Sequence, residues 1–252
     1  VHRVATLTAV PVHVASFGAG PQARGGPDRH RPDEPVGVPM YLPRHFDETR
    51  TDELHRIIAQ HPLGALVVNG PDGLDADHLP FELDASVGEH GVLRAHVARA
   101  NPICSEARDG DQVLVVFRAA DAYISPNWYP SKHESHRQVP TWNYQVVHVH
   151  GRIRIRDDEK YVRGVVARLT REHEARTGAQ RPWRMTDSAA DFIDAMLKAI
   201  VGIEVEIASI VGKSKLSQNR EDRDRIGAAE ELKKRDEQAL AAAMLKAGTA
   251  PD

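Results

Sequence analysis

The chain is poor in aromatic residues, almost without cysteine, and has no long apolar run. Aromatics make up 5% of its 252 residues. Its single cysteine, Cys104, excludes an internal disulfide framework and fits a reducing, cytosolic compartment. No stretch approaches the roughly 18 consecutive apolar residues of a membrane-spanning helix. No Gly-x-Gly-x-x-Gly follows a strand pattern, which removes support for a doubly wound dinucleotide-binding fold. Neither His-Glu-x-x-His nor Cys-x-x-Cys occurs. The formal net charge is -3, so nothing in the overall balance demands a nucleic-acid partner, although a local basic patch stays open. Internal repeats and low-complexity tracts are also missing.

What remains is the composition of an ordinary globular chain, 41% hydrophobic and 27% charged. The length allows one large domain or two small ones, and a sizeable core without staples. Residues 1–39 differ from the rest. They are rich in Gly, Pro, Arg and His, lack the charged start and cleavage site of a signal peptide, and read as a disordered extension or a misplaced translation start.

From Met40 onward, strand and helix patterns interleave. Residues 51–61 predict a helix with Thr51 as N-cap, acids in its first turn, and Leu54, Ile57 and Ile58 on one face. Strands are expected over 63–69, 77–83, 92–98 and 112–117, the last apolar enough for burial on both faces. Val147, Val149, Gly151, Ile153 and Ile155 alternate with His148, His150, Arg152, Arg154 and Arg156, a half-buried strand with a wet, cationic face. A helix is expected over 157–176. Ser188 to Asp191 resembles a capping box for a helix ending near Val201, with Gly202 as its stop. Residues 203–207 alternate as a last strand, and 228–247 have strong helix propensity. Short strands first, with helices inserted or appended, predict a mostly β, α+β barrel domain.

Two segments carry candidate chemistry. Residues 123–144 hold Trp128 and Trp142, two of the three tryptophans, and Tyr123, Tyr129 and Tyr144, three of the five tyrosines. Pro126, Pro130 and Pro140 predict a loop. Aromatics on a loop among Ser, Thr, Asn and Lys suit a flat, phosphorylated ligand; the plainer alternative is a loop pinned by core aromatics. Residues 213–220 put two lysines, two hydroxyls, two amides and an arginine directly after a strand, which suits a phosphate, or else forms a solvated basic turn. His148 with His150, and His133 with His136, give pairs only, where a metal needs three or four converging ligands. Cys104 has no catalytic signature around it and reads as a small core residue.

Motifs in order along the chain resemble those of the PaiB-type, FMN-binding negative transcriptional regulators. They are Met-Tyr-Leu-Pro-Arg-His-Phe at 40–46, Leu-Asp-Ala-Asp-His-Leu-Pro-Phe at 74–81 and His-Val-Ala-Arg-Ala-Asn-Pro at 96–102. Ala-Tyr-Ile-Ser-Pro-Asn-Trp-Tyr-Pro-Ser-Lys at 122–132 and Val-Pro-Thr-Trp-Asn-Tyr at 139–144 follow, then Met-Leu-Lys-Ala-Ile-Val-Gly at 196–202 and Lys-Leu-Ser-Gln-Asn-Arg at 215–220. The resemblance covers about residues 40–235. It implies an FMN-binding split barrel like that of pyridoxamine-phosphate-oxidase-type flavin proteins, spanning 40–225 and followed by a C-terminal helix at 226–252. It also implies a cytoplasmic homodimer with flavin near the subunit interface.

Carried onto this sequence, the cofactor-site candidates are Ser125, Trp128, Tyr129, Lys132, Thr141, Trp142, Asn143, Lys213, Lys215, Ser217, Gln218 and Asn219. Lysines and hydroxyls would hold the phosphate, aromatics would cover the ring, and amides would meet its polar edge. The family name adds transcriptional repression, with DNA as partner; the residues themselves show no helix-turn-helix pattern and no strongly basic domain. The alternative function is a flavin-dependent oxidoreductase of the pyridoxamine-phosphate-oxidase-like class. For it no catalytic residue can be assigned beyond His78 and His96 as candidates, each with a structural role as the competing reading.

Overall fold

The structure, a computed structural model, describes residues 40–247; the expected extension over 1–39 lies outside the described residues. The elements are β1 (Asp47–Glu48), α1 (Thr51–Gln60), β2 (Leu63–Gly70), β3 (Gly73–Pro80), β4 (Glu82–Asp84), β5 (Val92–Ala98), α2 (Ile103–Glu106), β6 (Gln112–Ile124), α3 (Pro130–Ser135), β7 (Thr141–Arg156), α4 (Glu159–Ala175), α5 (Ala190–Lys198), β8 (Ile200–Lys215), α6 (Asp222–Lys233) and α7 (Gln238–Ala247). The strands form one sheet in the order β3-β2-β6-β7-β8-β5-β4, with β1 added on β8. Every pairing is antiparallel.

The sheet curls until β3 touches β5, without a hydrogen-bonded ladder at that seam. This is the split barrel, in a mixed α+β chain. Alternation along the strands fills its interior: Val113, Val115 and Phe117 of β6, Val147, Val149 and Ile153 of β7, and Ile203, Val205 and Ile207 of β8 meet in one core. The apolar stripe of α1, Leu54, Ile57 and Ile58, plugs this core. Gly212 of β8 lies against Leu54 and Glu48, so a side chain there would collide with both. Among the described residues no helix is long and apolar enough to cross a membrane.

A second, smaller core sits where β6 and β7 extend past the barrel. Ile124, Tyr129, Leu216, Ala228, Leu232, Leu240 and Met244 pack there, supplied by the 123–144 segment, the first residue after β8, α6 and α7. The segment expected as a loop is thus mostly regular. β6 continues to Ile124, a 3-10 turn covers Pro126–Trp128, α3 starts with Pro130 at its first position, and β7 begins at Thr141. Proline costs nothing at a helix's first turn, because that N–H has no intrahelical acceptor anyway.

Other boundaries also differ from the sequence pattern. The N-cap of α1 is Arg50, and that of α5 is Ala189 with no side-chain cap bond. Gly202 stands inside β8, where the Tyr161 ring packs against it. Leu114 and Val116 are only half-buried, since β6 shows alternate burial. The helix expected over 228–247 is two helices, broken at Asp236, whose φ is 63°. α6 already begins at Asp222, so residue 225 falls within it.

Candidate ligand-binding site

Strand register decides which side chains share a surface. Tyr144 lies opposite Lys215, Val146 opposite Lys213, and Tyr123 opposite Trp142. Directly opposed residues of antiparallel strands point to the same face. Asn143 and Gln145 are buried on the other face. Tyr123, Trp142, Tyr144, Lys213 and Lys215 therefore form one patch on the outer face of β6–β7–β8.

Each member is held. The Lys213 ammonium donates to the Tyr41 carbonyl at 2.9 Å and lies 5.6 Å and 5.8 Å from the Tyr41 and Tyr144 ring centroids. Lys215 donates to Thr141 Oγ1 at 2.5 Å and sits 6.0 Å from the Phe46 ring. Tyr123 and Trp142 meet edge to face at 6.2 Å and remain 46% and 54% exposed. Their exposed rings can accept a flat partner.

The chain reverses after β8 through Ser217, whose φ is 66°. Gln218 braces this turn, accepting from the Leu216 N–H at 2.7 Å and donating to the Ser214 carbonyl at 2.6 Å. Ser217 also accepts from Asn143 Nδ2 at 2.9 Å. Asn219 is exposed at the tip. Beyond it, Arg220 donates to Gln138 Oε1 at 2.9 Å and lies 5.7 Å from the Tyr129 ring.

Lys213, Lys215 and Arg220 are three cations for which no carboxylate partner occurs among the described residues. Lys215 titrates below the ordinary lysine value, first because burial disfavours its charge and then because Lys213 and Arg220 repel it. Fixed, partly desolvated cations of one sign create a positive potential that an anion relieves.

The structure brings Thr141, Trp142, Lys213 and Lys215 together, with Asn143, Ser217, Gln218 and Asn219 forming or adjoining the turn beside them. The other four candidates have different surroundings. Ser125 caps the Pro126–Trp128 turn, accepting from the Asn127 N–H. Trp128 packs against the second core under the Arg235 guanidinium, 5.0 Å from its ring. Tyr129 is fully buried in that core, and Lys132 donates to Asn127 Oδ1 at 2.8 Å. The candidate set omitted Tyr41, Tyr123, Tyr144 and Arg220. The alternation of β7 would have signalled Tyr144, and its cross-strand position Tyr123; nothing local marks Tyr41 as a neighbour of Lys213.

His148 and His150 lie on the same outer face, ring centroids 6.5 Å apart, opposite Val116 and Leu114. No group of three or more metal-binding side chains converges among the described residues. His78 faces Ala65 on β2. His96 faces Gly202 at the start of β8, with Nδ1 buried and without a partner among the described residues. Gly202 and Lys215 are thirteen residues apart on β8, about 40 Å along the strand at ~3.3 Å per residue. A cleft of about 500 Å³ opens elsewhere, lined by Asp84, Arg94, Tyr161 and Arg168. Its arginines are already neutralised, Arg94 by Asp84 and Glu204, Arg168 by Glu82. The uncompensated cations, not this cleft, mark the candidate site.

Residues 40–209 match the family model described as "Putative FMN-binding domain". Protease synthase and sporulation protein PAI 2 of Bacillus subtilis is 29% identical over 193 residues, covering 77% of this chain and 89% of that protein. An uncharacterized protein of Emericella nidulans is 31% identical over 223 residues, covering 75% and 88%. Among solved structures, the FAD and Heme binding protein from Mycobacterium smegmatis aligns with a TM-score of 0.47 at 17% identity, over 67% of this chain and 73% of that one. The family match stops before Lys213, so the cation turn lies outside it.

Proposed function

The chain belongs to the FMN-binding domain family that residues 40–209 match, and from that premise we propose that it binds FMN on the outer face of β6–β7–β8. The observation that carries this is the grouping of Lys213, Lys215 and Arg220 with no carboxylate partner among the described residues. A phosphate monoester carries nearly two negative charges at neutral pH and accepts several charge-assisted hydrogen bonds. Lys213, Lys215 and the Thr141 hydroxyl would hold it. Tyr123 and Trp142, half-exposed on the same face, would cover the isoalloxazine, and Asn219, exposed at the tip of the turn, would meet its polar edge. Bound FMN supplies one- and two-electron redox chemistry and a visible absorption band.

The same reading makes the protein a homodimer, because a ring laid on an open sheet face is shielded on one side only. The lone Cys104 supports a cytoplasmic location. The test is the absorption spectrum of protein as purified, with mass spectrometry of what heat releases, followed by titration with FMN. A flavin spectrum, or saturable fluorescence quenching of added FMN, supports the proposal. Colourless protein that leaves FMN fluorescence unchanged overturns it.

Negative transcriptional regulation of the PaiB type is the second part of the proposal, favoured by the similarity to PAI 2, whose name joins protease synthesis and sporulation. It requires sequence-selective, salt-dependent DNA binding. A gel shift with no preference for its own promoter region over random DNA removes it. NAD(P)H oxidation by the FMN-loaded protein would instead favour the oxidoreductase reading.

A further inference from the structure

We propose that Arg220 is a third anion-binding residue of this site and that Gln138 is the positioning residue that aims it. The proposal rests on the reading above, that the site takes a phosphate monoester. Arg220 follows the left-handed turn, its N–H bonded to the Ser217 carbonyl at 3.0 Å. Among the described residues its guanidinium has one side-chain acceptor, the neutral Gln138 Oε1, and it lies over the Tyr129 ring.

The orientation of Gln138 is enforced. Its Nε2 donates to Ser131 Oγ at 2.7 Å and to Asp224 Oδ2 at 3.3 Å. Asp224, 1% exposed, accepts from the Ser131 N–H at 2.9 Å and from its hydroxyl at 2.5 Å. Flipping the amide would set Oε1 against the Asp224 carboxylate, so Oε1 must face Arg220. The carboxylate thus stands one amide away from the guanidinium. A direct Asp–Arg pair would neutralise the cation; the interposed amide fixes its direction and leaves its charge available. Gln138 and Thr141, three residues apart, hold Arg220 and Lys215 respectively. One short segment therefore gathers the two cations. A planar fork in this place suits bidentate recognition of phosphate oxygens.

The test compares wild type with Arg220→Met, Arg220→Lys and Gln138→Leu, each first checked for folding by its melting curve. Affinities for FMN and for riboflavin, which lacks the phosphate, are measured by fluorescence quenching at several salt concentrations. Arg220→Met is expected to weaken FMN by roughly tenfold or more and leave riboflavin unchanged, with a shallower salt dependence. Arg220→Lys should keep the salt dependence and recover part of the FMN affinity. Gln138→Leu should reduce the FMN-to-riboflavin preference by a smaller factor. Equal weakening of both ligands, or no change in either, overturns the proposal and leaves Arg220 a scaffold residue. If wild type binds neither flavin, the FMN reading fails on its own. Inorganic phosphate then decides for Arg220: a rise in melting temperature that Arg220→Met abolishes sustains the anion site, and no rise overturns it.

Discussion

Asn143 Nδ2 donates to Ser217 Oγ at 2.9 Å, tying β7 to the left-handed residue that reverses the chain between Lys215 and Arg220. Both residues are buried, and Nδ2 also approaches the Met244 sulfur of α7 at 3.4 Å. Directly along the strand pair, Gln145 Nε2 donates to Ser214 Oγ at 3.0 Å. These polar rungs spend their donors inside the protein and set the geometry of the turn. Asn143→Ala leaves a buried hydroxyl without its donor, an effect offset in part by removal of Asn143 Oδ1, which is buried without a partner among the described residues, and should cost about 1–3 kcal/mol. Chemical denaturation measures it, and an unchanged midpoint would contradict the assignment.

Tyr129 gives the opposite expectation. Its ring is fully buried in the second core, and its hydroxyl has no partner among the described residues. A buried hydroxyl without a hydrogen bond is a cost that phenylalanine does not carry. Tyr129→Phe should leave the melting temperature unchanged or raise it, and leave FMN affinity as in wild type. A marked fall in FMN affinity would give the hydroxyl a role at the ligand, and a fall in melting temperature would give it a hydrogen bond in the core.

Lys215 makes anion binding dependent on pH. Burial first, then repulsion from Lys213 and Arg220, holds its ammonium below the ordinary lysine pKa of 10.5. An anion relieves the repulsion and raises that pKa, so above the lowered value binding takes up a proton. FMN affinity should therefore fall as pH rises through the lowered Lys215 pKa of the free protein and level off above the raised pKa of the complex. Calorimetric titration in buffers of different ionisation enthalpy detects the uptake. Lys215→Met should abolish it.

The histidine pair bears on stability. Burial lowers the pKa of His148 and of His150 from the ordinary 6.5, and His150 lowers that of His148 further. Below 6.5 the unfolded chain binds protons that the folded state resists, so stability is lost as pH falls through the interval between 6.5 and the folded values. The melting temperature should fall on acidification from about pH 7 to about pH 5.5. His148→Asn with His150→Asn should reduce that dependence, burial of His61 and His96 supplying the rest; an unchanged slope would assign it to other groups.

Periodic features were legible in the sequence. The apolar stripe of Leu54, Ile57 and Ile58, the alternation of Val147 to Ile155 and the strand at Val92–Ala98 all appear where the pattern puts them. The Lys213 and Lys215 cations were also visible as a basic segment, but they stand in β8, which runs on to Lys215 and not only to residue 207, and Lys213 is buried. Features set by distant partners were not. Gly202 resembles a helix stop until the Tyr161 ring is seen against it. The prolines of 123–144 suggest a loop, but Pro130 starts a helix, whose Ser131 is anchored by Asp224, 93 residues away in sequence. Tyr41 reaches Lys213 from 172 residues away. No spacing rule contains those encounters, because they follow from tertiary packing and not from local periodicity.

The most direct measurement is the ratio of riboflavin to FMN dissociation constants for the wild-type protein and for Lys213→Met with Lys215→Met. The uncompensated cations predict that wild type prefers FMN by at least about tenfold and that the double variant loses most of that preference while still binding riboflavin. Equal affinity of wild type for the two flavins would contradict an anion site on this face.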